Sequence, residues 1–190
     1  IRGLPIKGYI GSPYSQWLLE KVNYNKDEDL EGSGYKLKNM GTDTYLGVSD
    51  GRVLLENGLE TKLVNEEDAS IWNFVKESEE GDKNYYTIVN TKNQNLESYH
   101  NAHAGYAGLA LSLASNKWGI PIINKASIGF NALKKFRVII PENPGGKTPI
   151  EEGQLQRIDN VNVNNFQEGD IVAFYTRSKV IGYHDKGNVY

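Results

Sequence analysis

The stretch GYKLKNMGTDTYLGVSDGRVLLE, residues 34–56, contains the pattern that decides the fold class. Apolar and polar residues alternate from Tyr35 to Asn39, a second apolar run follows at 45–48, and a third covers 53–55. Gly and Asp residues separate the three runs. Alternation with a period of two is typical of β-strands, and Gly and Asp favour turns. The stretch therefore predicts short strands joined by turns.

Length and composition limit the classes of protein that this chain can form. Its 190 residues suit one all-β domain, so we expect a single domain over residues 1–190. A net charge of −3 gives no attraction to nucleic acid, and we predict no nucleic-acid partner. No run approaches the ~20 apolar residues of a transmembrane segment. The chain has no cysteine, which excludes disulfides, thiol catalysis and cysteine-bound zinc.

The chain starts at Ile1, with neither Met nor a charged, apolar leader. This start indicates either that a leader has been removed or that the chain has been trimmed. Of the two, we expect a processed protein that is secreted to the extracellular space.

Short apolar runs continue through the rest of the chain. The segment around Trp17 is ambiguous, since it suits either one or two helical turns with Ser15 as a cap or a buried strand. The other runs favour strands, and many short strands without long helical periods indicate an all-β fold. These runs lie at 71–75, 85–88, 109–113, 136–140 and 171–176.

An internal repeat organises these strands. Trp17, Trp72 and Phe136 each begin an apolar run that ends in a polar turn, and a further pair of strands follows each one. Aligning the three units gives two sets of corresponding positions: Tyr35, Tyr86 and Phe174 in the first, and Leu46, Leu96 and either Val180 or Ile181 in the second.

Residues 1–20 supply the part of the third unit that residues 170–190 lack. Three units of four strands, related by pseudo-threefold symmetry and with adjacent termini, indicate a β-trefoil. Closure predicts contacts between apolar residues at the two ends of the chain: Ile6, Tyr9 and Trp17 with Val172, Phe174 and Val180.

The repeats resemble those of the ricin-B-type lectins and, more loosely, the MIR-type trefoils. The resemblance implies a sugar site made of an Asp in the second strand of a unit, a stacking aromatic residue, and an Asn or His. At the Asp position this chain has Gly47, Glu97 and about Gly182. The matching segments are Tyr35–Asn39 with Leu46–Val48, Ile71–Phe74, Tyr86–Asn90 with Asn95–Ser98, and the MIR-like residues 169–185.

Side chains that could bind a ligand are concentrated in NLESYHNAHAGYAG, residues 95–108. A carboxylate, an amide and aromatic faces are the groups that bind sugar hydroxyls and C–H surfaces. The alternative is a long solvated turn whose tyrosines pack against the fold. The candidate ligand-binding residues are Glu97, Tyr99, His100, Asn101 and Tyr106, with Trp118 from an adjacent loop.

Other chemistries find weaker support. His100 and His103 are three residues apart and no third strong ligand follows them, so no metal site and no cofactor are predicted. No Ser–His–carboxylate pattern emerges, and we predict a protein without a catalytic site.

Three functions in different classes therefore stay open. The first is a non-catalytic, lectin-like module that binds a glycan or glycoprotein. The second is a trefoil proteinase inhibitor that uses the loop at residues 142–165, in which Pro144 and Pro149 limit the entropy lost on binding. The third is a self-assembling structural or adhesive protein that binds copies of itself.

Overall fold

Strands account for most of the residues that the structure describes. A computed structural model of the chain describes residues 11–23, 33–53, 58–80, 83–92, 109–112, 122–125, 135–141, 144–146, 167–176 and 179–182. Within these ranges there is no α-helix, only short 3₁₀ turns at Pro13–Ser15, Glu66–Asp68 and Pro144–Gly146. The prediction of an all-β fold is therefore confirmed.

Eleven strands lie in the described residues, and all their pairings are antiparallel. The strands are β1 (Trp17–Asn23), β2 (Ser33–Asn39), β3 (Tyr45–Val53), β4 (Gly58–Val64), β5 (Ile71–Glu80), β6 (Lys83–Lys92), β7 (Leu109–Ser112), β8 (Ile122–Lys125), β9 (Arg137–Ile139), β10 (Ile171–Thr176) and β11 (Lys179–Val180).

The ambiguous segment around Trp17 is a strand. Trp17 and Leu19 are fully buried while Leu18 between them is partly exposed, which is the alternation of a strand with one buried face. The helical interpretation was correct only for the preceding 3₁₀ turn. Its cap is Ser12, whose hydroxyl accepts a bond from the Tyr14 amide, and not Ser15.

Three hairpins form a closed circuit of six strands, which we call the inner circuit. The hairpins are β1–β2, β5–β6 and β9–β10. Each one pairs with the next: β2 with β5, β6 with the residue before β9, and β10 with β1. Five of the six strands have a neighbour on both sides, and the sixth, β9, pairs with β10 and is preceded by the bridge from Phe136 to Tyr86.

The register of the inner circuit repeats three times. The residues that join one hairpin to the next lie four positions before Asn39, Asn90 and Thr176, at 35, 86 and 172. The three joining pairs are Tyr35 opposite Trp72, Tyr86 opposite Phe136, and Val172 opposite Trp17. The predicted position of Phe174 in this set was wrong by two residues, since Val172 occupies it.

A second correction concerns the strand that follows each hairpin. Lys38 lies opposite Tyr45, Tyr175 opposite Val180, and Val89 opposite Ala110. One residue further on, the corresponding positions are Leu46, Ile181 and Leu111. Leu111 takes the position that was assigned to Leu96, because β6 pairs with β7; Leu96 itself lies outside the described residues.

The core lies inside the inner circuit. Trp17, Trp72 and Phe136 have no exposed surface, as predicted. The Phe74 ring packs between Tyr35 and Phe174, with both ring centroids 5.6 Å away. These aromatic contacts join all three hairpins, because Tyr35, Phe74 and Phe174 belong to β2, β5 and β10.

The indole groups of Trp17 and Trp72 make corresponding hydrogen bonds. Trp72 Nε1 donates to the Leu46 carbonyl at 3.3 Å, and Trp17 Nε1 donates to the Ile181 carbonyl at 3.0 Å. The second bond ties the start of β1 to the C-terminal part of the chain, as the closure prediction requires of Trp17. Ile6 and Tyr9, which complete that prediction, lie outside the described residues.

Candidate functional site

The predicted ligand-binding residues fall in two segments outside the described part of the chain. Glu97, Tyr99, His100, Asn101 and Tyr106 belong to residues 93–108, and Trp118 belongs to residues 113–121. Their mutual arrangement therefore stays a prediction. The described residues at the ends of the first segment do define where it is attached.

That attachment point separates one unit from the other two. The link between the paired residues Asn90 and Leu109 has eighteen residues, 91–108. The corresponding link has four residues after Asn39, at 40–43, and two residues after Thr176, at 177–178. The five candidate residues thus lie in an insertion, which we call the long link (residues 91–108).

The register also corrects the argument that singled out Glu97. Gly47 and Gly182 lie at corresponding positions, and Ser112 takes that position in the unit that contains the long link. Glu97 belongs to the insertion and has no counterpart in the other units. The prediction that Glu97 stands at the Asp position of the ricin-B-type lectins was therefore wrong, whereas its place among the polar and aromatic groups of the long link stays a prediction.

In the two other units, neighbouring side chains leave no room for an acidic side chain at the Asp position that the resemblance to ricin-B-type lectins implies. A Cβ at Gly47 would lie 2.6 Å from Val64 Cγ2, and a Cβ at Gly182 would collide with the Ser15 hydroxyl. Neither glycine can be replaced by an acidic residue without displacing its neighbour. The acid that the resemblance to ricin-B-type lectins implies therefore cannot be accommodated at Gly47 or Gly182 as their neighbours stand.

A buried asparagine organises the short turn after β2. Asn39 Oδ1 accepts bonds from the Gly41 and Thr42 amides at 3.0 and 3.2 Å, and its Nδ2 donates to the Tyr14 carbonyl at 2.9 Å. Such side-chain bonds to nearby amides are typical of Asn in turns. Asn90, also without exposed surface, occupies the same register position where the long link begins.

A second long connection joins β9 to β10 over residues 140–170 and contains the proposed inhibitor loop, 142–165. Of that loop, the structure describes residues 144–146. The Gly145 amide donates to Gln16 Oε1 at 2.7 Å. At the far end, the Leu19 amide donates to the Asp170 carbonyl at 2.9 Å. Described residues near the start and at the end of the connection are thus bonded to Gln16 and to Leu19 of β1.

Sequence reasoning did not identify Gln16 or Asp170 as anchors of this connection. Gln16 and Gly145 are 129 residues apart. The only local signals were the Gly-Gly pair at 145–146 and the Gly at 169, and both Gly145 and Gly169 have positive φ, at 77° and 92°. Such glycines indicate sharp turns, but they do not name a partner.

A side-chain hydrogen bond joins Tyr45 in β3 to Glu20 in β1. The Tyr45 hydroxyl donates to the Glu20 carboxylate, with oxygen–oxygen distances of 2.9 and 3.0 Å. Burial first, and then the Glu20 bond and charge, raise the pKa of Tyr45 well above its ordinary value of 10.0. This hydrogen bond joins β3 to β1 across β2.

The raised pKa of Tyr45 predicts alkaline destabilisation. Above about pH 10 the unfolded chain loses the Tyr45 proton while the folded chain keeps it, so the free energy of unfolding falls as the pH rises towards the folded pKa. The slope from one such tyrosine is at most about 1.4 kcal/mol per pH unit. Urea denaturation between pH 8 and 11 measures it, and Tyr45→Phe should show a shallower decline.

Tyr35 accounts for part of the decline that remains in that variant, because burial and then Asp170 also raise its pKa. Equal slopes in wild type and Tyr45→Phe would contradict the assignment to Tyr45.

The described residues offer neither a metal-binding cluster nor a membrane-spanning helix. No group of three or more His, Cys, Asp and Glu side chains there is placed to hold a metal ion. His100 and His103 lie outside those residues. Among the described ranges, no helix has the length and apolar character needed to cross a membrane.

No family model, curated protein or solved structure matches this chain. Its function is therefore inferred from its own residues and geometry.

Proposed function

We propose that the chain is a non-catalytic carbohydrate-binding module on a β-trefoil scaffold, similar to the ricin-B-type lectins but with its site in the long link. The threefold register of the inner circuit supports the scaffold. An extracellular location, where glycans are displayed, belongs to the same proposal.

The length of the long link is the observation that supports this location of the site. It has eighteen residues, whereas the corresponding connections in the other two units have four and two. Connections of this length between paired strands of a compact domain usually have a function. The extra residues here are rich in the groups that bind sugars, with Glu97 as an acceptor for two hydroxyls, His100 or Asn101 as further polar partners, and Tyr99 or Tyr106 as a stacking face.

The expected affinity is low. A charge-assisted hydrogen bond contributes roughly 1.5–3 kcal/mol net, because it replaces bonds to water. One shallow site should then bind with a Kd of about 0.1–1 mM, equivalent to roughly 4–5.5 kcal/mol. Several copies on one surface would be needed for tight attachment.

The test combines a glycan screen with a link replacement. Residues 91–108 are exchanged for Met-Gly-Thr-Asp, the residues 40–43 that join Asn39 to Thr44. Asn90 stands where Asn39 does, so the short turn should fit, and the melting temperature should stay near that of wild type. Glycans that bind wild type in the screen should lose binding to this variant.

Single substitutions then locate the site within the link. Glu97→Ala should weaken binding at least about tenfold, since it removes a charged acceptor. Glu67→Ala, at an exposed acid on the Glu66–Asp68 turn, is the matched control and should bind as wild type does. Unchanged binding by the link replacement, or no glycan bound by wild type, would refute the proposal.

A second candidate function has its own observation. We propose as the alternative a proteinase inhibitor that presents residues 142–165, because Gly145 within this loop and Asp170 beyond its end are hydrogen-bonded to Gln16 and Leu19. A loop with fixed ends loses less entropy on binding. Inhibition assays against serine and cysteine proteinases, with Pro149→Gly as the loosened variant, test it. No inhibition by wild type would remove it.

A further inference from the structure

Charge is distributed unevenly along this chain. The whole sequence has a net charge of −3, but residues 98–141 and 171–184 contain no Asp or Glu. Both segments contain Lys and Arg, including the run KKFR at 134–137. Because β9 and β10 come from these two segments and pair with each other, the fold brings two acid-free parts of the chain together.

The register places Arg137 between two tyrosines on the outer face of the inner circuit, the face away from the core. Phe136 and Tyr86 are paired through both of their backbone hydrogen bonds, at 2.8 Å, and both side chains are buried. Because side chains alternate along a strand, the flanking residues Arg137 and Tyr85 lie opposite each other on the outer face. On the other side of β9, Arg137 lies opposite Tyr175 of β10.

These side chains are accessible to a ligand. The guanidinium carbon of Arg137 lies 5.9 Å from the centre of the Tyr175 ring, a distance at which the aromatic face attracts a cation. Arg137, Tyr175 and Tyr85 are all partly exposed, and so is Lys135, two positions earlier on the same face. Within the described ranges, Lys135 makes no ion pair. We call these four residues the basic patch.

The chemistry of the basic patch fits an acidic sugar. A guanidinium group can donate two parallel hydrogen bonds to the oxygens of a carboxylate or a sulfate. Exposed tyrosine rings pack against the C–H surface of a sugar. Nucleic acid is a weaker fit, because a protein of net negative charge lacks the long-range attraction that draws nucleic acid to a basic domain.

We propose that the basic patch binds a polysaccharide that carries sulfate or carboxylate groups. Arg137 holds the acidic group, Lys135 adds a second positive charge, and the two tyrosines flank the sugar. The patch belongs to β6, β9, β10 and the residues before β9, so it is separate from the long link. It does not depend on the glycan site proposed there.

Three polysaccharides test the class of ligand. Dextran sulfate carries sulfate groups, polygalacturonate carries carboxylates, and dextran carries neither. In isothermal titration calorimetry, wild type should bind at least one of the acidic polymers and should not bind dextran. The Kd should rise as salt is added, because salt screens exposed charges. Failure to bind either acidic polymer would overturn the proposal, and so would tighter binding of single-stranded oligothymidylate.

Matched removal of single charges tests the residues. Arg137→Gln should weaken binding of the acidic polymer about tenfold, because it removes both the charge and the paired hydrogen bonds. Lys135→Gln should also weaken it, and this variant provides the test if Arg137→Gln lowers the melting temperature. Lys62→Gln is the matched control, since it removes the same charge from an exposed lysine of β4, and it should bind as wild type does.

Two further comparisons separate this proposal from its alternatives. Equal weakening by Lys62→Gln and by the two patch variants would overturn the assignment, because the attraction would then depend only on net charge. The variant in which residues 91–108 are replaced should bind the acidic polymer as wild type does. A loss of this binding in the link replacement, with the patch variants unaffected, would move the acidic ligand to the long link and overturn the basic patch.

Discussion

Replacing Trp72 by alanine is expected to lower the free energy of unfolding by about 3–5 kcal/mol. Trp72 has no exposed surface, and it lies opposite Tyr35 where the first hairpin joins the second. Removing the indole opens a cavity at that junction and also removes the donor to the Leu46 carbonyl. Urea denaturation, followed by far-UV circular dichroism, measures the loss.

Two companion variants separate the causes. Trp72→Phe keeps an aromatic ring but loses the indole N–H, and it should cost about 1–2 kcal/mol. Trp17→Ala should cost as much as Trp72→Ala, since Trp17 has the corresponding position and bond in the repeat. A loss below about 1 kcal/mol for Trp72→Ala would contradict a core centred on these tryptophans.

Deleting residues 1–15 is expected to abolish cooperative folding. The Tyr14 ring lies against Gly41, and the Tyr14 carbonyl accepts the bond from Asn39 Nδ2. Ser15 lies against Gly182 at the C-terminal part of the circuit. The truncated chain loses these contacts and begins beside the buried Trp17, so a large apolar surface is exposed to water.

Size-exclusion chromatography and thermal melting report this outcome as aggregation and loss of the sharp transition. Tyr14→Ala in the full chain is the milder comparison, and it should fold with a reduced melting temperature. If the truncated chain stays monomeric and melts as wild type does, the joining of the two ends of the chain is wrong.

Local patterns predicted which segments form strands. The alternation of Tyr35 and Leu37 with lysines, and the apolar runs that begin at Trp72 and Phe136, needed only the period-two rule. The burial of Trp17, Trp72 and Phe136 followed from the same pattern. Large aromatic side chains in apolar runs gain the most free energy when they are removed from water.

Those local patterns did not determine the register in which the strands pair. Val172 and Phe174 are both buried on the core side of β10. Alternation alone is therefore consistent with either residue as the one that corresponds to Tyr35 and Tyr86 in the third unit. The choice is made by β10 pairing with β1, in which Trp17 lies opposite Val172. A shift of two residues keeps the same side chains buried, and a local pattern cannot detect it.

The sequence by itself determined an all-β chain with three aromatic anchors and a stretch of recognition chemistry between residues 95 and 108. Only the tertiary structure decided that this stretch is an insertion, because β6 pairs with β7 across eighteen residues and leaves Leu96 and Glu97 out of the repeat. It also decided that Gln16 holds Gly145, at a separation of 129 residues. The physical reason is the same in both cases: strand propensity depends on neighbours along the chain, whereas pairing depends on which strands the closed circuit brings together.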